Sequence, residues 1–575
     1  MKDIPQHLKK YIVEQHYEKY TPVDQACWRY ILRQLRAFLS THAHESYAEG
    51  LHNTGVEIEQ IPRIENISKK LSKFGWRALP VSGFIPPAAF MELQSLGVLP
   101  IACDMRTIEH LSYTPAPDIV HEAAGHAPLL VNHEFSEYLR QYALVAKKAI
   151  ISKEDMALYE GIRKLSDLKE SPDSTEAQVQ EAQEHLNHVS KSISHVSEAS
   201  LLSRMNWWTA EYGLVGDIEN PKIFGAGLLS SVGESQLCLS AKVKKIPLTV
   251  ECIKYSYDIT EQQPQLFVAP SFKKLGAVLE QMASQMSFRV GGLSGIEKAI
   301  QSETVNTVEL NSGLQLSGQV SSVIVSDSKQ PIYLRLQGPS QLSYRDQELS
   351  GHSQKTHSQG FGTPIGKFQD RPTDCPSTFT EADLQKLGLI QGKKISLKFV
   401  SGVLVEGVLK SQLHRDGKLL LLAFENCRVT HGSQILFEPE WGTFDMAVGS
   451  QVTSVFGGPA DRGAYGETQD FVAARVPSRN FTDAEKSLHA DYLSVRKWRE
   501  QKLQGEALNK SVLEVTTRQQ KLNPQDWLLT LECYELLLHR QGDAQLKQEL
   551  LSCLQSKGSA LKTVIENGLA LAKQL

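Results

Sequence analysis

The chain has 575 residues, 41% of them hydrophobic, with a formal net charge of −4. That length is enough for roughly two to four domains, and the near-balanced charge gives no case for a nucleic-acid surface. No apolar run approaches the length that crosses a bilayer, and the opening Met-Lys-Asp-Ile-Pro-Gln-His-Leu-Lys-Lys lacks a signal-peptide apolar core.

The front of the chain reads as mainly helical. Residues 30–42 (YILRQLRAFLSTH) carry apolar side chains at helical spacing, and so do residues 137–150 (EYLRQYALVAKKAI). Between them lies Tyr113-Thr-Pro-Ala-Pro-Asp-Ile-Val-His-Glu-Ala-Ala-Gly-His126, with His121 and His126 five residues apart and Glu122 beside the first. Two close imidazoles can hold a divalent metal without naming it. A zinc peptidase pair is spaced by four residues with a glutamate as general base. Five α-helical residues rotate by about 140°, against about 40° for four. Both rings reach one metal only if the helix ends or distorts near Gly125, where Gly125 and Pro128 punctuate it. Otherwise they are two ordinary histidines near a helix end.

Residues 161–200 are very polar and read as an exposed loop entering a charged helix. Then comes Asn206-Trp-Trp-Thr-Ala-Glu-Tyr-Gly213, which sets Glu211 among aromatic and apolar neighbours. A carboxylate is costly to bury unless it is paired or bound to a metal. Glu211 is therefore the natural third ligand, and two histidines with one carboxylate suit a non-haem Fe(II) oxygenase. Pairing with Arg204 is the plain alternative. The next segment, Phe224-Gly-Ala-Gly-Leu-Leu-Ser-Ser-Val-Gly-Glu234, has small residues that permit close backbone approach. It lacks a Gly-Lys-Ser/Thr ending and the spacing of a dinucleotide fingerprint. Ser230 or Ser231 can hold the outer nitrogen of a ligating histidine.

From about residue 305 the character changes. Residues 320–327, 331–337, 394–402 and 418–429 read as strands, though their alternation is imperfect. The segment 349–368 is rich in Gly, Ser and His and reads as a long mobile loop, in which His352 and His357 could attract a metal. A final helical part begins near Asp483, and Asn523 with Pro524 marks a helix start. The eight cysteines form no C-x-x-C pair, and Cys103, Cys238 and Cys252 sit in core-like stretches. Buried free thiols in a reducing cytoplasm are expected.

The blocks 113–126, 207–214 and 224–240 together resemble the pterin-dependent aromatic amino acid hydroxylases, the family of phenylalanine, tyrosine and tryptophan monooxygenases. Weaker agreement starts near Tyr20, continues through residues 61–67, 75–85 and Arg106, and ends just beyond Pro270, so the likeness covers roughly residues 15–300. The resemblance implies that His121, His126 and Glu211 bind iron, and that Glu122 lies on the pterin side of the metal. It implies that the backbone of Val81, Gly83, Phe84 and Ile85 holds the pterin edge and that Phe90 stacks on its ring. It also implies that Arg106 grips the substrate carboxylate, with Thr114, Trp207 and Ser230 near the amino acid and Pro117 and Asp118 continuing that wall. Stacking suits a planar pterin, and an arginine fork suits a carboxylate. Ala123, Ala124 and Asn206 depart from the bulkier or aromatic residues common in animal members. No animal-type regulatory domain is recognisable before residue 15.

The expected architecture is therefore multidomain. A mainly α-helical hydroxylase domain spans 1–305, a β-rich domain 306–480 and a C-terminal helical region 481–575. The front part is expected to keep iron binding and some hydroxylation on its own. The expected function is ring hydroxylation of a free aromatic amino acid, L-phenylalanine to L-tyrosine, using Fe(II), tetrahydropterin and O2. A tryptophan or tyrosine hydroxylase, or a scaffold that keeps the fold without turnover, are the alternatives. Expected partners are separate pterin-recycling enzymes and a second copy of the chain through the C-terminal region, with no membrane and no nucleic acid.

Overall fold

The structure is a computed structural model that describes residues 4–111, 117–170, 174–257, 262–466 and 481–573. Its order of architecture agrees with the expectation: a helical region with small sheets, then a β region, then helices. The long helix Pro22–His42 opens on a reciprocal cap between Thr21 and Asp24, with Pro22 in its first turn. It buries Trp28, Ile31, Leu32 and Leu35. The helix expected over 137–150 runs His133–Ala146 and is capped by Asn132. The polar stretch forms two helices, Lys153–Glu170 and Glu176–Ser192, rather than a loop entering one helix.

Two small sheets frame this front region. Arg77–Val81 pairs in parallel with Val98–Ala102. Four short strands run in the order Lys222–Ile223, Leu214–Val215, Gln265–Ala269, Lys244–Pro247. Among the described residues no helix is long and apolar enough to cross a membrane. All eight cysteines are free, and Cys238 and Cys252 are buried while Cys103 is half-buried.

The β region holds a six-stranded and a five-stranded sheet. The expected strands appear as Leu314–Val325, Pro331–Tyr344, Lys394–Lys398 and Lys418–His431. Imperfect alternation has a cause in the last of these. Leu419, Leu422 and Phe424 join one core while Leu420 and Leu421 join the other, so both faces are covered. The segment 349–360 is not a mobile loop. Backbone hydrogen bonds pin it to the strand Pro331–Tyr344, from Leu342 N–H to His352 O at 3.0 Å and from Ser340 N–H to His357 O at 3.0 Å.

The tail comprises Asp483–Glu500, Gly505–Leu522, Leu528–His539, Ala544–Gln555 and Lys562–Ala572. Asn523 does not start a helix; it closes the helix Gly505–Leu522, and the next begins at Leu528. Asp526 accepts from Leu529 N–H at 3.0 Å and takes the capping role instead. Tyr492, Val495, Val512, Leu528, Leu531 and Ile565 share one hydrophobic core with Trp28, Tyr30 and Ile31.

Candidate metal centre

The two histidines sit on a π-helical turn, His121–His126, where Ala127 N–H reaches back five residues to Glu122 O. In such a turn each hydrogen bond spans five residues, so side chains five apart come round to the same side. The distortion required by the spacing is thus the turn itself. It continues into the short helix Ala127–Leu129 rather than ending at Gly125. A side chain at Gly125 would lie 2.7 Å from Ala226 O, so only glycine allows the segment Ala226–Leu229 to pack this closely.

Glu211 ends a second π-helical turn, Trp207–Glu211, closed by Tyr212 N–H to Trp207 O at 2.8 Å. His121 Nε2 lies 3.2 Å from Glu211 Oε2, and His126 Nε2 lies 3.3 Å from Glu211 Oε1. One ligand atom from each of the three lies within 4.8 Å of the others. Arg204, the alternative partner, instead donates to Ile253 O at 3.2 Å. Gly225 lets the glycine segment approach this turn, because a Cβ there would fall 2.4 Å from Glu211 O.

Hydrogen bonds orient these groups. Ser230 Oγ donates to Ala226 O at 2.7 Å, which uses its one proton. It therefore accepts from His121 Nδ1–H at 3.1 Å, leaving the Nε2 lone pair toward Glu211. Asn206 Nδ2 donates to Glu211 Oε1 at 3.2 Å. Burial works against the charge of Glu211, but the His126 and His121 rings, when protonated, hold its carboxyl well below the usual range. Burial pushes the Glu122 carboxyl up to about 8, with His126 opposing the shift. Glu122 Oε2, His126 Nδ1 and Trp207 Nε1 are buried without a hydrogen-bond partner. Buried polar atoms without a protein partner call for a bound group or ordered water.

Asp118 and Arg106 form the adjoining wall. Arg106 Nε and Nη2 donate to Asp118 at 2.7 and 2.8 Å, and Nη1 donates to Ser230 O at 3.2 Å. Among the described residues, two of the five guanidinium N–H groups have no acceptor. Asp118 also accepts from His121 N–H at 3.0 Å, so one carboxylate sets both the arginine and the start of the histidine turn. Trp207 stacks between Tyr212 and Tyr257, with ring centroids 4.5 and 4.3 Å away. Thr114 lies outside the described residues.

Of the residues expected at the pterin, Val81 ends its strand, and Val81 and Ile85 are buried. Gly83 has φ +58° and donates its N–H to Asp104 at 3.1 Å. Phe84 O accepts from Tyr159 OH at 2.9 Å. Phe90 is half-buried on the helix Pro87–Ser95, against a cluster that holds Val81, Ile85 and Leu93. The geometry adds Tyr159, which donates to Phe84 O, and gives Asp118 and Asn206 hydrogen bonds to the centre that the sequence did not assign to them. Their roles had no periodic signal in the sequence, though Asn206 stood out as unusual.

Residues 8–158 and 179–292 match the model of the biopterin-dependent aromatic amino acid hydroxylases. This part of the chain belongs to that family. The hydroxylase region is similar to the phenylalanine-4-hydroxylase of Mesorhizobium japonicum, 29% identical over 269 residues, covering 46% of this chain and 81% of that protein. It is also similar to the phenylalanine-4-hydroxylase of Pseudomonas aeruginosa, 29% identical over 258 residues, covering 44% and 81%. A solved structure of the Chromobacterium violaceum phenylalanine hydroxylase with iron(III) and 7,8-dihydrobiopterin is 24% identical with a TM-score of 0.38, covering 49% of this chain and 92% of that one.

Proposed function

We propose that this chain is an Fe(II)- and tetrahydropterin-dependent monooxygenase that converts L-phenylalanine to L-tyrosine. The convergence of His121, His126 and Glu211 at 3.2 and 3.3 Å carries the reading. Two imidazoles and one carboxylate with open positions fit a non-haem iron. When bound, iron and the reduced pterin supply oxygen activation and the two electrons that ring hydroxylation needs.

The residues do the positioning. His121 and His126 offer Nε2 atoms, and Ser230 holds the tautomer of His121. Asn206 orients the Glu211 carboxylate. Glu122, with its orphaned Oε2, faces the pterin side. The backbone at Val81, Gly83, Phe84 and Ile85 holds the pterin edge, and Phe90 stacks on its ring. Arg106 uses its remaining N–H groups on the substrate carboxylate, with Asp118 holding the guanidinium in plane. Trp207, Ser230 and Pro117 line the amino acid site. The phenylalanine-4-hydroxylases among the relatives favour phenylalanine over tryptophan or tyrosine.

In this reading residues 1–305 form the hydroxylase domain, 306–480 a β-rich domain and 481–575 a helical region. Separate enzymes recycle the pterin. Exposed Leu493, Leu513 and Leu522 on the tail support self-association there.

The test is product identification. Iron-loaded full-length protein is incubated with tetrahydropterin, oxygen and phenylalanine, tyrosine or tryptophan in turn. Tyrosine from phenylalanine is expected at the highest rate; faster hydroxylation of another ring reassigns the substrate, and no product overturns the activity. Glu211→Ala should lose iron and product while keeping its circular dichroism. Wild-type iron content in that variant would sink the ligand assignment.

A further inference from the structure

A second convergence lies in the β region, away from the hydroxylase centre. His352, His357 and Asp445 each place one ligand atom within 4.8 Å of the others. His352 Nδ1 is 3.2 Å from His357 Nε2, and both lie 4.0 Å from Asp445 Oδ2. These three atoms fall on a circle of radius about 2.2 Å, close to the bond length of about 2.0–2.1 Å that zinc makes with imidazole nitrogen. We propose that His352, His357 and Asp445 bind a borderline divalent transition-metal cation, of the zinc or ferrous class, that clips the two sheets of the β region together.

Three observations support the site. The histidines are held by backbone, because both of their carbonyls accept from the strand Pro331–Tyr344 as described above. Gln354 Nε2 adds a hydrogen bond to Tyr465 O at 2.8 Å, and the ring of Phe361 meets His357 edge-on at 5.2 Å. The imidazole rings are nearly parallel, 13° apart, and set their facing nitrogens toward the same carboxylate.

The third ligand comes from elsewhere. Asp445 lies on the strand Phe444–Ala447, paired with Ala423 of the five-stranded sheet, whereas the histidines hang from the six-stranded sheet. A bound ion would therefore close a long chain loop and join two separately built layers. Side-chain exposures of 18%, 9% and 14% keep the cluster in reach of solvent, which can supply the ion and a water ligand. Two nitrogens and one oxygen suit zinc and ferrous iron, and disfavour calcium and magnesium, which take oxygen ligands. The competing arrangement is a plain hydrogen bond between the imidazoles beside a carboxylate, with no ion.

The experiment uses the full-length chain carrying His121→Ala and Glu211→Ala, so that the hydroxylase centre cannot contribute. Equilibrium dialysis against Zn2+, and anaerobically against Fe2+, measures metal per chain. One equivalent of at least one of these ions is expected. Adding Asp445→Asn, which keeps the size of the side chain, or His357→Ala should remove it. Zn2+ at about a hundredfold excess over Kd should raise the melting temperature of the β region's transition by roughly 5 °C, and not in the Asp445→Asn chain. No stoichiometric metal, or metal unchanged by Asp445→Asn, overturns the site. Binding without any rise in melting temperature overturns the clip.

Discussion

The β region and the helical tail both follow the hydroxylase region in sequence, yet they attach to it in opposite ways. The β region keeps one core of its own and shares a second with Ile150, Ile296 and Ala299 of the front, whose segments Ser287–Val290 and Gly292–Ser302 pack on the strand Val452–Gly457, with a few polar contacts besides. Arg462 is one of these: it donates to Glu92 at 3.1 Å, on the helix that carries Phe90. The tail instead completes the core of the front region. Tyr30 meets Trp527 edge-on at 5.4 Å, and Gly568 lies so close to Leu531 that a Cβ there would come within 2.4 Å of its Cδ2. Buried charge seals the joint. Arg29 donates to Glu59, Glu532 and Glu535, and Arg33 and Arg499 pair with Glu535 and Glu532. Proximity in sequence thus says little about which region the hydroxylase depends on.

Truncation should show the largest effect. Against the expectation drawn from the sequence, a fragment ending at residue 305 leaves the apolar and charged face of Pro22–His42 uncovered, so it should aggregate or fail to hold iron. Joining 1–305 to 481–575 through a flexible linker should restore a soluble, iron-binding protein. A soluble, active 1–305 fragment would show that the tail is dispensable and erase the contrast.

Next comes Glu535→Ala, which strands Arg33 in a buried joint and leaves Arg29 with only Glu59 and Glu532. Breaking one partner of such a cluster costs about 3–5 kcal/mol, read by urea denaturation. A loss under about 1 kcal/mol would mean that water reaches the joint.

Acid gives a slightly smaller effect. Burial disfavours the charge of Glu532, but Arg499 and Arg29 outweigh it and hold the carboxyl down to about 2. A lowered carboxyl contributes stability that is present above its unfolded value and lost as pH falls through its folded value. The joint should therefore weaken between about pH 4.5 and pH 2, by on the order of 2–3 kcal/mol. Fluorescence of Trp498 and Trp527 would follow it. Equal acid sensitivity in Glu532→Gln would remove Glu532 as the cause.

Arg462→Met should be the mildest, costing about 1 kcal/mol because its pair with Glu92 is only partly buried. A larger loss, with a raised pterin KM, would make this contact a support for the Phe90 helix.

Much of the hydroxylase centre was legible in sequence. A carboxylate at Glu211 between Trp208 and Tyr212 needs a partner, and a five-residue histidine spacing demands a distorted helix. The π-turn satisfies that demand. Asp118, which joins Arg106 to the histidine turn, gave no such signal, since an aspartate beside proline reads as an ordinary turn residue. The strand Lys418–His431 was legible by composition, while its broken alternation became intelligible only once both faces were seen to be covered. His352 and His357 were visible as a pair, but Asp445 lies far along the chain on another sheet, and no spacing rule connects them.

The sequence by itself carried the likeness to the family, the three candidate ligands of the hydroxylase centre and the succession of helices, strands and helices. Those rest on residue chemistry and local periodicity, which act over a few neighbours. The tertiary structure alone decided that the tail covers Pro22–His42, that Asp118 and Asn206 orient the centre, and that Asp445 meets two histidines. The physical reason is that an apolar face or a spare ligand atom records a need for a partner, while the identity of that partner depends on how distant segments pack.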